Sequence, residues 1–71
     1  MAKKTLKVGH FYYHKMYTND VYCVLRVFEM QNLKYVQIHN VEMDKNGIEL
    51  YDSFLGKTRE VDERYWKSIQ R

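Results

Sequence analysis

The chain has 71 residues, with 12 Lys and Arg against 9 Asp and Glu and a formal net charge of +3. A single domain of this size buries only about 60% of the surface its unfolded chain exposes, so stability is marginal and an enclosed catalytic pocket has little room. The mild basicity is compatible with weak attraction to nucleic acid or to an acidic protein surface, and it falls well short of a polybasic tail.

One cysteine, Cys23, excludes a disulfide within the chain and fits a reducing compartment. It stands in an apolar run and reads as a small buried hydrophobe rather than a nucleophile. No apolar run approaches the ~18 residues of a membrane span. The basic start, Met1 to Lys7, has no apolar stretch behind it and is not a secretory signal. The chain is therefore expected in the cytoplasm.

In chain order, residues 1–6 read as a flexible basic lead-in and residues 7–71 as one domain. Val8 to His14 reads as a first strand, with Gly9 marking a bulge or a close backbone approach. Val8, Phe11 and Tyr13 then face inward, and His10, Tyr12 and His14 outward. Lys15 to Asp20 is a loop rich in turn formers.

Val21 to Met30 is the clearest strand, β-branched and aromatic. Its set Val21, Cys23, Leu25 and Val27 is assigned to the core. Tyr22, Val24 and Phe28 on the other face still need cover, which points to a closed or strongly curled sheet. Gln31-Asn32 makes a short turn into a strand from Lys34 to Met43, with Val36 and Ile38 inward. Asp44 to Gly47 is expected to close the next hairpin, because Asn-Gly suits the positive φ of a type I′ turn. Ile48 to Asp52 follows, with Ile48 and Leu50 inward. Ser53 to Gly56 reads as a loop with an apolar plug, and Lys57 to Val61 as a short fifth strand. Asp62 is a good N-cap for a last helical turn or two from Glu63 to about Ile69, where Val61 and Trp66 have the spacing of a hydrophobic staple. Val24, Leu25, Val36, Ile38 and Trp66 are the expected packing residues.

The pattern from Lys7 onward, with Gly9 at its opening and Tyr22-Cys23-Val24-Leu25 in its second strand, resembles Src-homology-3-like small barrels. This broad group includes Tudor and KOW modules and small phage-encoded barrel proteins. The resemblance implies a mainly β, five-stranded antiparallel barrel with a short C-terminal helical turn. Two hallmarks of the peptide-binding Src-homology-3 domains are missing: an acidic cluster in the loop Lys15 to Asp20 and a consecutive tryptophan pair. Polyproline binding is therefore not expected.

Catalysis is the least supported class, and neither a metal nor a cofactor is expected. His10, His14 and His39 have neither a second cysteine nor a tight carboxylate cluster to complete a metal site. A Cys23–His39 pair has no third group to orient it. Gly9, Gly47 and Gly56 are isolated and form no phosphate loop.

The aromatic set is more informative. Tyr12, Tyr17, Tyr22, Tyr35 and Tyr51 fall on expected outer faces or in the first loop, with Arg26, Lys15 and Lys34 near them. Tyrosine gives large contact area at low entropy cost and is enriched at interfaces. The same side chains would also cover the open ends of a barrel too small to bury everything. The first functional expectation is a non-enzymatic module, viral or accessory, that docks on a larger protein through the tyrosine face, with Met16, Phe54 and Arg26 nearby, and modulates a host machine. The second is a single-stranded nucleic-acid binder that stacks bases on tyrosine and meets phosphates with Lys3, Lys4, Lys7, Lys15, Lys34 and Arg26. Against the second, acidic residues are interspersed among the basic ones, as on an ordinary solvated surface. A homo-oligomer formed through an edge strand also fits.

Overall fold

A computed structural model describes residues 5–62. Within them lie strands β1 (Phe11–His14), β2 (Val21–Met30), β3 (Leu33–Asn40) and β4 (Lys45–Leu50), helix α1 (Tyr51–Lys57) and strand β5 (Thr58–Glu60). The expected helix from Glu63 to Ile69, with Trp66, and the start of the lead-in lie outside the described residues.

The strands form one antiparallel sheet in the order β4-β3-β2-β1-β5. β1 to β4 make a meander, and β5 returns to lie beside β1. The sheet is open, with β4 and β5 as its edges.

The hairpin between β2 and β3 turns on Gln31 and Asn32, whose φ angles of 53° and 66° are both positive, as a two-residue type I′ turn requires. The turn expected at Asn46-Gly47 is not there. Asn46 and Gly47 are strand residues, opposite His39 and Ile38. The chain reverses earlier, over 41–44, where Met43 N–H donates to Asn40 Oδ1 at 3.1 Å and Asp44 takes the positive φ. The Asn40 side chain starts the turn and a His39–Asn46 contact of 2.7 Å fixes the register beyond it, so two side chains outweigh the Asn-Gly preference.

A bulge, one of the two features expected at Gly9, lies in β2. Val24 lies opposite Ile38 and Arg26 opposite Gln37, which leaves Leu25 with no partner. An extra residue switches which face each later side chain points to. Tyr22 and Val24 before the bulge and Val27 after it therefore all reach the core. The expected inner set Val21, Cys23, Leu25 and Val27 holds only for Val27. Val24 is fully buried, whereas Leu25 is 39% exposed. Gly9 serves instead in a turn before β1, at φ 86°, and its N–H donates to Val24 O at 2.8 Å.

The rest of the core comes from Leu6, Tyr12, Val36, Ile38, Tyr51 and Phe54. Five assignments change. Tyr12, expected outside, is buried, while Val8, expected inside, is exposed. Leu6 is a core residue and not part of a loose lead-in. In β4, Ile48 and Leu50 are exposed and not inward, because they share a face with Gln37 and Tyr35 rather than with Ile38 and Val36.

The apolar plug is helical. In α1, Tyr51, Phe54 and Leu55 fall at i, i+3 and i+4, one face of a helix, and all three pack on the core. Phe54 is fully buried and meets Tyr12 and Tyr22 edge-on, at centroid distances of 6.0 and 5.6 Å. Asp52 in the first turn and Lys57 in the last complement the helix dipole. The last carbonyls are satisfied: Thr58 Oγ1 donates to Phe54 O (2.7 Å), Lys15 Nζ to Gly56 O (2.9 Å) and Lys15 N–H to Lys57 O (2.9 Å).

Phe54→Ala should cost about 3–5 kcal/mol, a large part of the ~5–15 kcal/mol available to a domain, whereas Leu25→Ala should cost about 1 kcal/mol or less. Urea denaturation of both variants checks this. A Leu25→Ala variant as unstable as Phe54→Ala would contradict the bulge.

Candidate functional site

The eight residues singled out from the sequence separate into two groups. Tyr12 and Tyr51 are core residues. Tyr12 Oη accepts Lys7 N–H and Tyr51 Oη accepts Leu6 N–H, each at 2.8 Å. Lys15 caps α1. Lys34 Nζ sits 4.5 Å from the centre of the Tyr51 ring, a cation–π contact. Tyr22 covers the margin of the core against Phe54. Tyr17 is exposed in the first loop, beside the His14 ring. Only Tyr35 and Arg26 come together on one surface.

That surface is the sheet face opposite the core, on β2, β3 and β4. The register sets Met30 opposite Leu33, Phe28 opposite Tyr35, and Tyr35 opposite Leu50. The next row is Arg26, Gln37 and Ile48. Phe28 and Tyr35 stack at 5.6 Å with 21° between their planes. Arg26 lies over the Phe28 ring at 4.6 Å and donates through Nε to Gln37 Oε1 at 2.9 Å. Met30, Leu33, Ile48 and Leu50 are all roughly half exposed.

β1 pairs with β2 only over Val21 to Cys23, so the stretch Arg26 to Met30 pairs with β3 alone and extends beyond the body of the sheet. Glu29 and Lys34 face each other on the other side of this arm. On that side the arm is apolar at Val27 and Val36, which reach the core, and charged at its tip. Of its apolar residues the sequence reading selected only Tyr35. The available signal was that both faces of β2 are apolar.

The remaining chemistry-bearing groups are engaged. Cys23 lies directly opposite His39, but the two His39 ring nitrogens sit 2.7 Å from Asn46 Oδ1 and 3.2 Å from Asp44 Oδ1. Burial pushes the Cys23 thiol pKa up, the reverse of what activates a thiolate. His10 Nδ1 contacts Glu60 at 2.7 Å, and His14 Nδ1 accepts Met16 N–H at 3.0 Å. No group of three metal-binding side chains is found among the described residues. Among them, no helix is long and apolar enough to cross a membrane.

Comparison with known protein families, curated proteins and solved structures returned no match.

Burial raises the pKa of Tyr12 above its ordinary value, against a smaller lowering by the Lys7 N–H bond, and burial likewise raises that of Tyr22. A raised folded-state value means that the native state keeps its proton where the unfolded chain has lost it. Stability is therefore full below about pH 10 and falls as pH rises beyond it. Tyr12→Phe should flatten this alkaline loss while lowering stability near neutrality by about 1 kcal/mol. Urea midpoints of both proteins from neutral to strongly alkaline pH test the sign. A parallel pair of curves would refute the assignment.

Proposed function

We propose that the chain is a small non-enzymatic binding module that docks on a larger protein through the apolar face of the β2–β3 arm and the adjoining part of β4. The observation that carries this reading is the row arrangement of Phe28, Tyr35, Met30, Leu33 and Leu50 beside one cation among the described residues, Arg26. An exposed, contiguous apolar patch of this kind is uncommon on a monomer and marks an interaction surface. Aromatic rings with an arginine at the centre are the residue types that dominate binding energy at protein interfaces. A small accessory or viral protein that modulates a host machine by covering part of it would need no more than this.

We further read the open sheet as a Src-homology-3-like small barrel. Support comes from the meander with a fifth strand returning to β1. α1 lies between β4 and β5 and covers the core where closure would otherwise be needed.

The stacked Phe28–Tyr35 pair beside Arg26 also supports a second reading, a platform for unpaired bases. The lysines weigh against it. Lys7 pairs with Glu60, Lys57 with Glu49, Lys15 caps α1 and Lys34 covers Tyr51. They line no groove along the stack.

Met30→Asp combined with Leu33→Asp should abolish capture of the protein partner from lysate while shifting the melting temperature by less than about 10 °C, since surface changes cost about 0.5 kcal/mol each and 1 kcal/mol is worth about 4–8 °C in a domain of this size. Unchanged capture would remove the arm from consideration. A parallel titration with fluorescent single-stranded DNA at low and moderate salt separates the readings. Binding that collapses with salt and is lost in Tyr35→Ala would place nucleic acid first.

A further inference from the structure

We propose that β4 is the contact through which two copies of this chain associate, by antiparallel pairing of one β4 with another about a twofold axis at Gly47. The inference is independent of the docking reading above.

β4 is a free edge among the described residues. The direction of its backbone groups follows from the ladder. Val41 N–H donates to Val21 O, while Val24 bonds through both N–H and C=O to the β1 side. Alternation then points Val21 and Cys23 toward β3. On β3 it points His39 toward β2, and Ile38 and Asn40 toward β4. Their partners on β4 are Gly47 and Lys45. Asn46 and Ile48 consequently present N–H and C=O groups at the edge.

Pairing about Gly47 sets Asn46 opposite Ile48 of the second copy, and the reverse, so these outward groups exchange four backbone hydrogen bonds. Lys45 then stands opposite Glu49 of the second copy, twice by symmetry, in positions where antiparallel side chains come closest. Gly47 meets its own copy with no side chain, and the space around its Cβ position is open. Neighbouring registers lose this match. An axis at Ile48 leaves both charges without an opposite, and an axis at Glu49 sets the two carboxylates against each other.

Glu49 already uses Oε1 for Lys57 of its own chain, which leaves Oε2 for the second cation. Charged residues on an edge strand ordinarily block pairing. Here Lys45 and Glu49 block an arbitrary strand and fit a copy of their own. This is an isologous contact of the kind twofold dimers use. It would extend the sheet and set two apolar arms on one continuous face.

Sedimentation equilibrium of the full chain, from about 1 µM to about 500 µM, tests this. The wild type should approach twice the monomer mass of 8.7 kDa as concentration rises. Lys45→Glu should weaken the dimer about tenfold or more, because two attractive pairs become repulsive. Lys45→Glu with Glu49→Lys should restore it. Salt should weaken the wild-type dimer, a readout that needs no variant to fold. Met30→Asp with Leu33→Asp should leave it unchanged. A monomer at every concentration would overturn the proposal. A dimer indifferent to the charge exchange, or one lost in the arm variant, would do the same.

Discussion

One unpaired residue in β2, Leu25, organises the rest of the molecule. Without it, Val24 and Val27 would point to opposite sides of the sheet, and neither face would gather enough apolar surface to hold a domain of this size. With it, the first half of β2 turns its even-numbered residues to the core and the second half its odd-numbered ones. The core then runs continuously from Tyr12 and Tyr22 through Val24 and Ile38 to Val27 and Val36. The same switch turns Phe28 and Met30 away from the core, and so creates the apolar side of the arm. Core and candidate interface are two results of a single backbone irregularity.

The second constraint is how this core is closed at the bottom. Leu6 and the ring of Phe54 plug it, and two tyrosine hydroxyls accept the consecutive N–H groups of Leu6 and Lys7. Each bond satisfies both a buried hydroxyl and a backbone donor that would otherwise be costly to leave unmade. Tyr12 and Tyr51 therefore hold the start of the chain against a sheet that is not closed by strand pairing. The open edges and the clamped N-terminal segment belong together, because a helix and a pinned segment do the covering that a closed barrel would do with a further ladder.

Strand existence was legible in the residues, and face assignment was not. β2 runs from Val21 to Met30 both by its β-branched composition and in the structure, and a short strand from Lys57 to Val61 contains the observed Thr58–Glu60. A bulge leaves no trace in a period-2 pattern when both faces of the strand are apolar, so strict alternation puts the half of β2 before the bulge on the wrong face while it places Val27 and Phe28 correctly. Asn46-Gly47 failed for a related reason. Turn preference is local, whereas the His39–Asn46 contact that places both residues in β4 joins positions on two strands. The helix Tyr51–Lys57 was hidden by its length. Seven residues do not form a helix from propensity, and this one exists because Tyr51, Phe54 and Leu55 have a core to pack on.

This bears on how the aromatic residues should be divided. Counting tyrosines treats them as one set, but their partners give them different work. Tyr12 and Tyr51 have buried hydroxyls with backbone donors, and Tyr22 has the Phe54 ring. Tyr35 stacks on Phe28, on the side of the sheet away from the core. Phe54, Val24 and Val36 are the fully buried side chains of the core on the other side. The stacked pair is half-buried and stands outside the main core cluster. A sheet face that carries Phe28, Met30, Leu33, Tyr35 and Leu50 together invites aggregation when it is left uncovered. This is the physical ground of the docking proposal, since covering the face by a partner would remove that liability while Lys45 and Glu49 guard the adjoining edge strand.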